Sequence, residues 1–406
     1  MQKEILEKNN VLLTAVKISI GFMFGIMLFS SITKSIIIAL FGLTILLLVY
    51  KTGFTINRRL FFVNTLVYLI ILLTIFYSSN LPEASLKLQT TFSLFLFPML
   101  LSLLKVNQVR EIQKNIKIYL MIFIVGTFLY NVGPFLWYYF THYSFGDIIK
   151  HYPIIIIQDI GKYGIHPIYM SMHCVISILF SIFIFKEIKT KLNKGLLLII
   201  NLVLICFLII YSKKGPIIGL ASVLFIWSFF KAKNVKKYYF LAIFTIGILL
   251  ISIPKTRNKF LELVKIEEAK SVDSNSTNIR FSIYKTAFGL IKKSPFFGYG
   301  IGDFNDQLRK EYKNNTQFLL SKEYNSHNQY LSFLLIGGIP LLLSFFYFLY
   351  YNINLSVNNK NYLLIIIISF YSIVMLSENI LERENGVIFF SFLINFFSLK
   401  NFKKNE

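Results

Sequence analysis

Acidic residues are scarce in this chain. Its 19 Asp and Glu stand against 42 Lys and Arg, and charged residues of both signs fill only 15% of the 406 positions. A soluble domain carries about a quarter charged residues, so a soluble fold is disfavoured at once. Cysteine is nearly absent: Cys174 and Cys206 each lie inside an apolar run, with no second cysteine or histidine at ligand spacing. That argues against a disulfide framework or a zinc site, and both are expected as small buried apolar residues. Proline, at nine residues, is too sparse and scattered to form a linker, and no internal repeat is visible.

What the chain has in quantity is apolar sequence. Hydrophobic residues make up 55%, with 43 Phe alone, and the mean hydropathy is +0.63. The apolar residues fall in blocks of about 17–24, the length that crosses a hydrocarbon layer of about 30 Å as a helix. The blocks predict spans at 11–31, 35–50, 60–78, 88–104, 117–136, 166–185, 195–211, 215–230, 238–253, 327–350, 361–377 and 386–399. The expected fold is therefore all-α, a polytopic bundle of about 12 transmembrane helices. Residues 1–10 carry both Lys and Glu, and no A-x-A-like exit follows the apolar stretch from Val11, so an uncleaved first span is expected.

The net charge of +23 first suggests nucleic acid, but the charges lie between apolar blocks rather than on one soluble face. They set orientation instead. With the N-terminus cytoplasmic, half of the 42 basic residues fall in the cytoplasmic segments 1–10, 51–59, 105–117, 186–194, 231–237, 351–360 and 400–406. Two longer segments then lie outside: a medium loop at 137–165, rich in Tyr and His, and a large loop at 254–326, long enough for short helices. The domain reading is nine helices over 1–253, the large loop at 254–326, and three helices over 327–406.

Candidate chemistry gathers at the outer ends. Ser212-Lys213-Lys214-Gly215-Pro216 places two lysines in a tight outer turn, against the orientation rule. Pro216 suits a first helical turn, and a helix N-terminus beside two lysines suits a phosphate or pyrophosphate. The competing reading is two lysines snorkelling to headgroups. Ser326-His327-Asn328-Gln329 reads as a capping box that puts His327 in the first turn of the tenth span. There the positive helix end is expected to favour a neutral imidazole, the form a general base needs. Asn278-Ile279-Arg280-Phe281 opens an amphipathic helix continuing through Tyr284, Ala287, Leu290 and Ile291. Arg280 offers phosphate oxygens a planar fork, although a surface arginine is the simpler reading of that residue alone. The spaced glycines Gly298, Gly300 and Gly302 follow no strand, and a tight turn is expected there rather than a nucleotide loop. His166 and Tyr169 open the sixth span, either as cavity lining or as interface-belt residues. Glu378, Glu382, Arg383 and Glu384 cluster in the last outer turn, where paired interfacial charges are the default.

Together these segments resemble the O-antigen ligase and O-antigen polymerase family of bacterial membrane glycosyltransferases. The likeness is carried by Arg280 through Phe304, with Pro295, Gly298, Gly300 and Gly302, and by His327-Asn328 through Pro340. His166-Pro-Ile-Tyr169 and Glu378 through Gly386 resemble further family patterns. Where the family has Ser-Arg-Gly, this chain has Ser212-Lys213-Lys214-Gly215, which keeps the charge but loses the fork. The resemblance implies a GT-C-like fold in a bacterial inner membrane. It implies a polyprenyl-pyrophosphate-linked glycan as donor, a glycan or lipid A-core acceptor, and no cofactor or metal. His327 and Arg280 would be catalytic, Lys213, Lys214 and Arg280 would bind pyrophosphate, and His166, Tyr169, Tyr284 and Asn328 would line the cavity. A polymerase on the same donor is the nearest alternative. A transporter or flippase is the alternative class, and it should bury charges along a mid-membrane path or show a repeated half.

Overall fold

The structure, a computed structural model, describes residues 2–159, 165–229, 244, 247–248, 252, 254–264, 266–269, 271, 274–315, 317–320 and 324–403. Among these there is no strand. The helices are α1 (Gln2–Phe24), α2 (Ser31–Thr52), α3 (Arg58–Leu73), α4 (Leu81–Thr91), α5 (Ser93–Ser102) and α6 (Val106–Gln113). There follow α7 (Ile116–Thr141), α8 (Phe145–Asp159), α9 (Pro167–Ile184), α10 (Lys191–Tyr211) and α11 (Lys214–Phe229). Beyond a short helix at Pro254–Leu261 come α12 (Ser276–Lys293), α13 (Phe304–Asn315), α14 (Gln329–Asn358), α15 (Tyr362–Val374) and α16 (Glu384–Ser398).

Among the described residues, seven stretches are long and apolar enough to cross a membrane: Ser31–Thr52, Arg58–Tyr77, Leu81–Ser102, Ile116–Thr141, Pro167–Glu187, Lys191–Tyr211 and Gln329–Asn358. Asn10–Phe24, Lys214–Phe229 and Tyr362–Val374 are shorter apolar helices. The expected 88–104 span begins earlier, at Leu81, and breaks at Phe92 into α4 and α5. The expected span at 238–253 and the basic segment at 231–237 fall wholly or largely outside the described residues. Residues 137–165, expected as a loop, instead hold the end of α7 and all of α8. Ile148, Tyr152, Ile155 and Ile156 are buried and give that segment an apolar face to pack.

The chain divides into two compact units. One comprises 1–57, 100–217 and 399–406. Here α9 is central, with 83% of its apolar window buried, whereas α10 buries 28% and turns Leu198, Ile199 and Leu202 outward, as a lipid-facing helix does. Cys174 is buried as expected, but Cys206 on α10 is exposed, because it lies on that outward face.

The other unit comprises 58–99 and 218–398. Its membrane helices are joined by a chain of buried amides. Asn64 donates to Asn395 at 2.7 Å, Asn352 donates to Asn64 at 2.8 Å, and Ser398 donates to Asn352 at 2.9 Å. In a hydrocarbon setting such bonds tie helices together, each contributing about 0.6 kcal/mol.

The glycine turn docks this unit's loop segment onto its helices. α14 is kinked at Gly337 and Gly338, the latter with φ +62°. The kink frees the carbonyls of Leu335 and Ile336, which accept from the N–H groups of Tyr299 at 2.7 Å and Gly300 at 2.9 Å. Ile339 donates back to the Pro295 carbonyl at 2.9 Å. Asp303 then caps α4 by accepting from the N–H groups of Ser79 and Asn80 at 2.6 and 2.9 Å. The motif is a backbone dock, in keeping with the expectation of a tight turn.

Candidate functional site

Two caps place the candidate residues of the second unit. α12 starts four residues before Arg280, because the Asn275 side chain accepts from the N–H groups of Thr277 and Asn278. Arg280 therefore sits one turn into the helix rather than at its opening, and Tyr284 lies one turn further on the same face. α14 is capped by Asn328, whose side chain accepts from the N–H groups of Tyr330 and Leu331 at 2.9 and 3.1 Å. The expected Ser326–Gln329 capping box does not form. Ser326 is engaged by Asn379, whose Nδ2 donates to its hydroxyl at 2.9 Å, and Gln329 accepts from the Leu381 N–H at 2.8 Å.

His327 consequently lies just before the helix rather than in its first turn. Its φ is +45°, a left-handed conformation uncommon outside glycine. The turn is held from several sides. The His327 N–H donates to Asn325 Oδ1 at 3.1 Å, and its carbonyl accepts from the Tyr284 hydroxyl at 3.1 Å. That hydroxyl also reaches the Leu376 carbonyl at 3.0 Å, which accepts from Asn328 Nδ2 at 3.0 Å. Burial raises the Tyr284 pKa above its ordinary value, Arg280 opposes the rise and Glu378 adds to it, so the hydroxyl stays a donor at neutral pH.

Glu378 joins the two principal candidates. Its Oε1 receives Arg280 Nη2 at 2.6 Å, and its Oε2 lies 3.6 Å from His327 Nδ1. The three side chains are 25%, 18% and 25% exposed in the order Arg280, Glu378, His327, so they meet at a partly solvated surface. Arg280 Nε and His327 Nδ1 are themselves buried and make no hydrogen bond. Next to Glu378 in the chain, Asn379 donates to Glu382 at 2.8 Å, and Ser332 also donates to Glu382.

Lys213, Lys214, His166 and Tyr169 belong to the first unit. α10 ends at Ser212, which adopts φ +48°, and both lysines are half-buried at the start of α11, with Pro216 in its first turn. The His166 ring caps α9, its Nδ1 accepting from the Ile168 N–H at 3.3 Å, and Tyr169 is buried. Among the described residues the non-glycine positions with positive φ are Ser212, His327 and Lys360. The first adjoins the lysine pair and the second is a site residue itself.

Residues 198–346 match the family model Wzy_C, described as O-antigen ligase. The resemblance read from the sequence is to this family. The matched O-antigen ligase segment contains Lys213, Lys214, Arg280, Tyr284, His327 and Asn328, while Glu378, His166 and Tyr169 lie outside it. With the apolar helices, the O-antigen ligase match makes this a membrane protein. No curated protein matches the chain.

Proposed function

We propose that this chain is a membrane glycosyltransferase of the O-antigen ligase and polymerase type. It moves a glycan from a polyprenyl pyrophosphate donor to an acceptor sugar hydroxyl at the extracytoplasmic face of a bacterial inner membrane. The observation that carries the reading is Glu378 held between Arg280 and His327 within the second unit.

The chemistry follows from that arrangement. His327 turns Nδ1 toward Glu378, which favours the tautomer with a proton on Nδ1 and leaves Nε2 to accept one. The acceptor hydroxyl attacks the anomeric carbon as its proton passes to Nε2, and the bond from that carbon to the pyrophosphate oxygen breaks. One displacement inverts the centre. The imidazolium formed is stabilised by the Glu378 carboxylate, whose 3.6 Å contact with Nδ1 is longer than a hydrogen bond and is of the kind that tightens in a substrate complex. Arg280 spends Nη2 on Glu378 and has Nη1 for the departing phosphate. The charge that develops on the leaving group is met by a fixed cation, the arrangement that lowers such barriers most. Ligase and polymerase share all of it.

Purified protein given a lipid-linked glycan and a glycan acceptor tests the proposal. The expected result is a covalent product from the wild type and none from His327→Ala at equal expression. Movement of the lipid-linked substrate across vesicles without any covalent product would overturn it in favour of a transporter.

A further inference from the structure

The first unit holds a slot of about 520 Å³ on its lipid-facing side, between α1 and α7. Its origin is a close helix crossing. A Cβ on Gly25 would lie 3.3 Å from Ile122, and one on Gly126 would lie 3.2 Å from Met27 and 3.9 Å from the Gly25 Cα. The Gly21-x-x-x-Gly25 spacing lets the two helices approach there. Nearer the N-terminal ends of both helices, Gly21 contributes no side chain, and the space it leaves is walled by Ile18, Phe22 and Ile118. The lining is apolar along its length, and its end is closed by Lys17 and Asn115.

That end carries excess positive charge. Lys17 Nζ lies 3.9 Å from Glu111 Oε2, while Lys114 takes the other oxygen of Glu111 at 2.5 Å. Arg110 acts on the same carboxylate, so three cations face one anion. Lys17 is the loosely engaged member, and its side chain remains 23% exposed. An apolar slot between membrane helices that ends in a surplus of lysine and arginine fits one ligand chemistry, an aliphatic chain bearing a phosphate.

We propose that this slot binds one anionic glycerophospholipid, with an acyl chain along the α1–α7 seam and its phosphate at Lys17. The basic end is the one that the charge distribution assigns to the cytoplasm. The occupant is therefore a phospholipid of that leaflet, and not the donor proposed above, whose pyrophosphate meets the opposite face. The proposal stands whether or not the transferase reading does.

Native mass spectrometry of the delipidated full chain tests it, with phosphatidylglycerol and phosphatidylcholine of identical chains as probes. One phosphatidylglycerol should be retained in preference to phosphatidylcholine. Lys17→Ala should weaken the former by about fivefold, the worth of one lysine near an anionic headgroup, and leave the latter unchanged. Gly21→Leu should remove the site for both lipids, as should Ile18→Trp, which fills the slot from the lipid side should the glycine seam not tolerate leucine. Lys400→Ala, at an exposed position, should change neither. Equal retention of the two headgroups overturns the proposal, as does phosphatidylglycerol binding unaltered by Lys17→Ala or by filling the slot.

Discussion

Glu378 shows how far single residues speak for themselves. In the sequence it is one acid among four charges in an outer turn, and pairing within that turn is its natural reading. Its actual partners are Arg280, 98 residues away, and His327. No local spacing encodes that, because the contact exists only once α12 and the α15 end are packed together. Arg280 and His327 drew attention in the sequence because each lies near an expected helix start. The two-residue error in the α14 cap arose because Ser326 and Asn328 are equally good capping residues by type, and only the Asn379–Ser326 bond decides between them. Under the proposed function, Glu378→Gln keeps the shape but removes the anion that steadies the imidazolium. Turnover should fall about 10–100-fold, a fraction of what a general base contributes, with the protein folded and the donor KM changed much less. Turnover equal to wild type would remove Glu378 from the mechanism. Arg280→Lys keeps the charge and loses the fork, so it should not restore the activity lost in Arg280→Ala. Full rescue by lysine in the same assay would show that a point charge suffices. Tyr284→Phe should leave the His327 carbonyl without its tyrosine donor, while Leu376 keeps Asn328, and lower stability by about 1 kcal/mol, read as a reduced unfolding midpoint in detergent.

At the scale of elements, the glycine turn and the α14 kink are a single object. The sequence shows Gly298, Gly300 and Gly302 as a turn, and Gly337, Gly338 and Pro340 inside what reads as one span at 327–350. That the first supplies N–H donors to carbonyls freed by the second is a long-range fact, and it explains why both carry positive φ at glycine. A Cβ on Gly338 would fall 2.2 Å from the Phe296 carbonyl oxygen, and one on Gly298 would fall 2.6 Å from that of Leu335. These are backbone atoms within a hydrogen-bonded dock, so neither can yield without breaking it. Gly338→Ala and Gly298→Ala should therefore each destabilise the fold severely, seen as loss of monodisperse protein on gel filtration. Gly289 on α12 is the internal control, since a Cβ there meets nothing within 4 Å. Gly289→Ala should raise the unfolding midpoint, because alanine is favoured over glycine in a helix by about 1 kcal/mol. Parallel behaviour of the three variants would refute the docking account.

At the scale of the whole molecule, the all-helical membrane class was legible because it rests on composition and on block length, which survive errors in any one boundary. Individual span limits were less so. The 81–102 stretch shows why: Pro82, Glu83 and Lys87 make its first half look like a loop, yet Asn80 and Asp303 cap it and Phe304 lies under the Lys87 ammonium at 3.9 Å. Sidedness rests on where the basic residues fall, and it is open to direct measurement. Lys189, between α9 and α10, and Lys310, on α13, are both exposed and fall on opposite faces under the proposed orientation. In a background with Cys174 and Cys206 replaced, single cysteines at these positions should react differently with a membrane-impermeant maleimide. The cysteine at 310 should label in cells whose outer barrier alone is opened. The one at 189 should label only after the inner membrane is permeabilised. Reversed labelling would turn the basic segments outward and put Arg280 and His327 on the cytosolic side, where the proposed acceptor and donor do not meet. Labelling of both from one side would mean an odd number of crossings has been misassigned between them, and that number lies within 190–309, the segment holding every charged residue proposed to touch pyrophosphate.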